Sequence, residues 1–173
     1  MTTRDRATGA AFTLIEILIV VLVLAIAAAI IVPNIGTAAD SQVVSAARVV
    51  QSDLEVARSL ALTTQHSHSL VFSPDRRSYK VVADYGGGAY ASAVAVTHPV
   101  DPSKTFEVTL ASLNGMEAVT VFAVNFGGQT YVTFQSLGDA VAPGSITLRA
   151  GDCEIVVSVE GLTGIVTVTR TRN

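Results

Sequence analysis

Cysteine occurs once in this chain of 173 residues, at Cys153. No internal disulfide can form, and neither a zinc cluster of several cysteines nor a Cys-x-x-Cys redox pair is possible, so the fold must hold by packing. Histidine is almost as scarce, at His66, His68 and His98. On a strand His66 and His68 would share one face, a spacing that can chelate a metal. No third ligand accompanies them, and they read instead as exposed polar residues just past a helix end. There is no Gly-x-Ser-x-Gly elbow, and Cys153 has no activating partner nearby in sequence. Tyr85-Gly86-Gly87-Gly88 has no following Lys-Ser/Thr and no strand-to-helix setting, so it reads as a loop and not as a phosphate cradle.

Charge is thin as well. The net charge is −3, and from residue 64 onward seven Lys/Arg face nine Asp/Glu, which argues against a broad surface for nucleic acid. Arg170 and Arg172 would supply two phosphate contacts, where substantial binding at physiological salt needs several. DNA is therefore not an expected partner. With no catalytic constellation and no cofactor site, the chain reads as a non-enzyme.

What the sequence has is one long apolar run, Phe12 to Val32, 21 residues with a single carboxylate at Glu16. As a helix it would measure about 31 Å, close to the roughly 30 Å hydrocarbon core of a bilayer. An ionisable group in such a segment costs about 2.5–3.5 kcal/mol at the helix centre and less near an end, and marks function by default. The leader 1–11 is weakly basic, with Arg4 and Arg6 against Asp5. The positive-inside rule keeps it cytoplasmic and sends the rest out. A cleavable secretory signal with Ala25-Ile26-Ala27 at its cut site is the competing reading, but Glu16 would interrupt its apolar region.

Pro33 follows the run and predicts a bend. The helix then resumes over 36–63, where Val43, Ala47, Val50, Leu54, Ala57 and Ala61 alternate spacings of four and three, one apolar seam. The opposite face reads Ser41, Ser45, Arg48, Ser52, Glu55 and Ser59, either a solvated face or an assembly surface. From residue 64 the pattern turns to strands, expected at 68–73, 78–83, 91–97, 105–112, 118–125, 130–135, 145–149, 154–159 and 165–171. Turn signals separate most of them, Gly127-Gly128 and Ala142-Pro143-Gly144 among them. The expected fold class is α+β: a long N-terminal helix, its first half transmembrane, packed through its second half on a C-terminal antiparallel β-sheet domain of residues 64–173.

Phe12-Thr13-Leu14-Ile15-Glu16, followed by an apolar helix and Pro33-Asn34, resembles the class III signal of type IV pilins and of the pseudopilins of type II secretion. The resemblance implies a leader 1–11 removed by prepilin peptidase between Ala11 and Phe12, N-methylation of Phe12, Glu16 as the assembly glutamate, and Pro33 as the helix-kink proline. The family has Gly before the cut, and this chain has Ala11. It further implies a transmembrane helix over 12–35, a single pass through the inner membrane and a periplasmic C-terminal domain. Asp53 to Ala61, with Ala57-Arg58-Ser59-Leu60-Ala61, resembles the helix signature of GspH/FimT-type minor pseudopilins. Val132 to Gly138, Gly144 to Leu148 and Ile155 to Gly161 resemble that family's C-terminal pattern. Major pseudopilins often end in a calcium loop, and no dense acidic cluster stands near this chain's end. The resemblance implies a minor pseudopilin of a type II secretion system, assembling with other pilins or pseudopilins in a filament. The alternative is a FimT-like minor pilin of a type IV pilus, assisting pilus assembly or DNA uptake.

Overall fold

The computed structural model of the chain describes residues 12–31 and 35–172, with the side chains of 28–31, 35–38 and 172 outside the description. The chain divides into two compact units, Met1–Thr37 and Ala38–Asn173.

The first unit holds α1, Leu14–Ile31. Leucine, isoleucine, valine and alanine occupy all of it but Glu16, so no polar stripe exists. Its side chains are exposed all round from Leu14 to Ala27, and a helix apolar on every side needs cover from something other than water. Among the described residues no helix is long and apolar enough to cross a membrane. The 18 residues of α1 rise about 27 Å. Pro33 and Ala11 both lie outside the described residues.

The second helix, α2, spans Ile35–Thr64. In the second unit its seam is buried to completion: Val43, Ala46, Ala47, Val50, Leu54, Ala57 and Ala61 are each 0% exposed. The predicted opposite face, Ser41 through Ser59, is exposed at all six positions. Eight strands follow among the described residues: β1 His68–Phe72, β2 Ser78–Ala83, β3 Glu107–Thr109, β4 Thr120–Phe126, β5 Tyr131–Phe134, β6 Gly144–Ala150, β7 Cys153–Val159 and β8 Val166–Arg172. They form two antiparallel sheets, β3-β2-β1-β5 and β4-β6-β7-β8.

The alternating residues of β7 behave as predicted, with Ile155, Val157 and Val159 buried. Together with the α2 seam, Leu70, Phe72, Tyr79, Val132, Phe134, Ile146 and Leu148 build one core. Inside it the Tyr79 hydroxyl donates to Asp53 on α2 at 2.6 Å. Burial pushes the Asp53 carboxyl above its ordinary value, against the opposing effect of that bond, because the charged form is the one that suffers from lost water.

Two strand expectations need correction. Residues 91–97 form no strand: a 3-10 turn occupies Tyr90–Ser92, and the rest is reduced to single bridges, Val82 to Ala95 and Thr97 to Thr105. The expected strand 105–112 shrinks to the three residues of β3 and runs into a second 3-10 turn at Leu110–Ser112. The physical reason lies in where residues 84–106 go. They cross the outer face of the first sheet: Tyr90 sits over the Lys80 ammonium, 4.2 Å from ring centroid to Nζ, and its hydroxyl reaches Glu107 at 2.8 Å. This cover leaves all five residues of β1 buried, on both faces.

Candidate assembly surfaces

At the start of α1 the backbone Thr13-Leu14-Ile15-Glu16 closes a reciprocal pair. The Glu16 N–H donates to Thr13 Oγ1 at 3.2 Å, and the Thr13 N–H donates to the Glu16 carboxylate at 3.5 Å. This is a capping box, in which two N–H groups that the helix leaves orphaned are satisfied by each other's side chains. The negative charge also sits where the helix dipole favours it. In the sequence Glu16 reads as a charge in an apolar run and, by resemblance, as an assembly glutamate; its capping role was carried by the Thr-x-x-Glu spacing and was missed. Phe12 stands just ahead of the box, 74% exposed.

A second constellation lies at the C-terminal end of α2. The Arg58 Nε donates to the Gly138 carbonyl at 2.9 Å. Gly138 is held in a turn that its own N–H closes onto Gln135 at 2.8 Å, and Ala140 donates to Gly161 at 2.8 Å. Gly164 completes the contact: a Cβ there would stand 2.1 Å from the Gly138 oxygen and 3.1 Å from Arg58 Nε. Its φ of +63° is also a conformation that L side chains rarely adopt. The helix signature around Arg58 and the C-terminal segments around Gly138 and Gly161, far apart in sequence, therefore meet in one clasp.

Other candidates resolve differently. His66 and His68 do not share a strand face: His66 pairs with Asp84 at 3.1 Å, while His68 is buried in β1 with its Nδ1 3.1 Å from the His66 carbonyl oxygen. The expectation that both are exposed is thus wrong for His68, which shares the core face of β1 with Leu70 and Phe72 and lies opposite Phe134 of β5. Among the described residues no group of histidine, cysteine and carboxylate side chains could hold a metal ion. In the glycine loop the Tyr85 hydroxyl donates to the Gly88 carbonyl at 2.6 Å. Arg170 is paired with Asp40 on α2.

The family described as Type II transport protein GspH matches residues 46–163, a span that holds Arg58 and Gly138. Among solved structures the chain is similar to the type IV minor pilin FimU of Pseudomonas aeruginosa, at 16% identity and a TM-score of 0.53, over 75% of this chain and 90% of that one. It is also similar to the minor pseudopilin EpsH of the type 2 secretion system of Vibrio cholerae, at 12% identity and a TM-score of 0.55, over 75% and 97% of the two chains. At such identities the likeness is one of fold. A comparison with curated proteins gives no match.

Proposed function

Because the chain belongs to the GspH family, one of structural subunits and not of enzymes, we propose that it is a minor pseudopilin of a type II secretion system. In this reading it is a subunit of the periplasmic pseudopilus that helps drive protein export. The observation that carries the proposal is the family match across α2 and both sheets, with the Arg58 clasp inside it. The exposed apolar surface of α1 supports the membrane part of the reading, since lipid is the solvent that such a helix needs.

Prepilin peptidase cuts between Ala11 and Phe12, Phe12 is N-methylated, and residues 12–35 anchor the chain in the inner membrane with Pro33 as the kink. The head, residues 64–173, stands in the periplasm. Glu16 accepts the amine of a neighbouring subunit's Phe12. A carboxylate offers about four acceptor positions, so the bond to the Thr13 N–H leaves room for that amine. The two roles are compatible, and the ion pair fixes axial register between subunits while the remaining apolar residues pack without direction.

The likeness to FimU supports a second reading, a minor pilin of a type IV pilus. Deletion of the chain separates them. Secreted proteins retained in the periplasm with normal surface pili support the secretion reading; lost pili with normal export overturn it. Mass spectrometry of the mature chain is expected to find N-methyl-Phe at residue 12, and an intact Met1 would overturn the processing.

A further inference from the structure

The outer face of the first sheet carries a cleft walled by tyrosine and lined by no charged side chain, and we propose that it binds the pyranose rings of a neutral saccharide. The cleft lies wholly within the second unit, so its test is independent of which filament the chain enters.

The core face of β1 is made by Leu70 and Phe72, so Val71 turns to the opposite face, where its partner across the ladder is Tyr131 of β5. These two form the base of the cleft. The cover that follows β2 supplies a wall: Tyr85 stands edge-on to Tyr131, with ring centroids 5.0 Å apart and planes at 86°. Tyr90 lines the same space, as do Gln129 and Thr130 from the turn before β5. The volume is about 530 Å³, within the roughly 300–1,000 Å³ of ligand sites. Glycine keeps it open. Gly87 and Gly88 take φ of +91° and +133°, and the Tyr85 hydroxyl fastens this loop through the Gly88 carbonyl at 2.6 Å. A Cβ on Gly87 would stand 3.6 Å from the Tyr131 hydroxyl, so the loop passes close to that group without putting a side chain against it.

Charge decides the class of ligand. An ion in this cleft would find no counter-ion on its walls, and burying an unpaired charge is costly. The charges around the rim are already engaged. The Lys80 ammonium stands 4.2 Å from the Tyr90 ring centroid, and Glu107 accepts from the Tyr90 hydroxyl at 2.8 Å. Asp75, next to the lining residue Pro74, bonds Ser73 and feels Arg77, Arg76 is turned to the Phe122 carbonyl, and Asp84 is paired with His66 at 3.1 Å. A neutral ligand fits this balance.

The free polar groups decide the rest. The Tyr131 hydroxyl, the Gln129 carboxamide and the Thr130 hydroxyl make no hydrogen bond among the described residues. Each can both donate and accept, which matches the hydroxyls of a sugar, themselves donors and acceptors at once. A proline-rich peptide, the other neutral ligand of aromatic grooves, offers mainly acceptors. The C–H face of a pyranose ring can lie on a tyrosine face, whose negative charge attracts polarised C–H groups, while the ring's hydroxyls reach the polar groups beside it.

The chain has no tryptophan and four tyrosines; Tyr79 is buried and the other three line the cleft, so tyrosine emission reports on the site. The full chain, in a zwitterionic detergent without a sugar headgroup, is titrated with chitotetraose and with cellotetraose, and separately with a proline-rich peptide and a heparin oligosaccharide. A saturable change is expected with a neutral tetrasaccharide and with neither of the other two. Gln129→Ala, at an exposed position, is expected to weaken binding by about threefold, and Tyr85→Ala by about tenfold, both with the unfolding transition of the parent. Should Tyr85→Ala fail to fold, the Gln129→Ala titration decides alone. No saturable change with either tetrasaccharide up to about 10 mM overturns the proposal. So does binding that Gln129→Ala leaves unchanged, or binding of the peptide or of heparin in place of the neutral sugars.

Discussion

The Nε of Arg58 reaches the carbonyl oxygen of Gly138 at 2.9 Å across 80 residues of sequence, and through it the helix signature and the C-terminal loops share one anchor. Arg58→Ala is expected to destabilise the head by about 1–3 kcal/mol, the range for a bond with one charged partner. Urea unfolding of the detergent-solubilised chain measures it. Arg58→Lys retains the charge but not the planar fork, and is expected to recover less than half of the loss. Full recovery would assign the effect to charge alone.

Glycine is required at 164 and dispensable at 86. Gly164→Ala combines a positive φ with a backbone oxygen 2.1 Å from the new Cβ, and is expected to cost more than about 1 kcal/mol. A Cβ on Gly86 meets nothing within 4 Å, so Gly86→Ala is expected to leave the melting temperature unchanged or slightly raised. Comparable losses at the two positions would contradict the clasp geometry.

Asp53 gives the stability a pH dependence of unusual sign. Its carboxyl is held above the ordinary 3.8 by burial, ahead of the opposing bond from Tyr79. The folded state therefore binds more protons between that value and the raised one, and this group's contribution falls as pH rises through the window. Asp75, Asp101 and Glu117, held low chiefly by hydrogen bonds, contribute in the opposite sense and lose stability on acidification. Asp53→Asn keeps an acceptor for Tyr79 and removes the desolvated charge. Relative to the parent, its melting temperature is expected to climb as pH is raised from about 4 to 7. A difference that stays constant with pH would show that Asp53 does not titrate in that range.

Glu16 has two proposed roles that a single substitution can separate. Gln is an accepted partner in a capping box, so Glu16→Gln is expected to keep the bond to Thr13 while losing the charge for a neighbour's amine. Recovery of the chain in sheared filaments should drop for Glu16→Gln and Glu16→Ala alike, with the head still folded. Normal recovery of the Gln variant would reduce Glu16 to a helix cap.

The seam of α2 was legible in full, because spacings of three and four are a local pattern and every one of its six residues is buried. The alternation of β7 was legible for the same reason. Residues 91–97 misled because Ala91 to Val96 alternate small and apolar residues but meet β2 only at a single bridge, Ala95 to Val82; Val94 ends 80% exposed. His68 misled because it continues the core face of β1, opposite Phe134 of a strand far downstream. The Arg58 clasp was visible as three separate resemblances, and only the fold shows that they are one object.

The cover that residues 84–106 lay across the first sheet also bears on strand register. A strand with one wet face has its register enforced, because a slip of one residue exchanges apolar for polar across the whole face. β1 has no wet face: His68 to Phe72 are all buried. Its alignment with β5 must instead come from particular contacts, such as the 2.7 Å bond between the Ser69 and Thr133 hydroxyls. The register of the first strand of the head is thus set by partners that lie later in the chain, Thr133 among them.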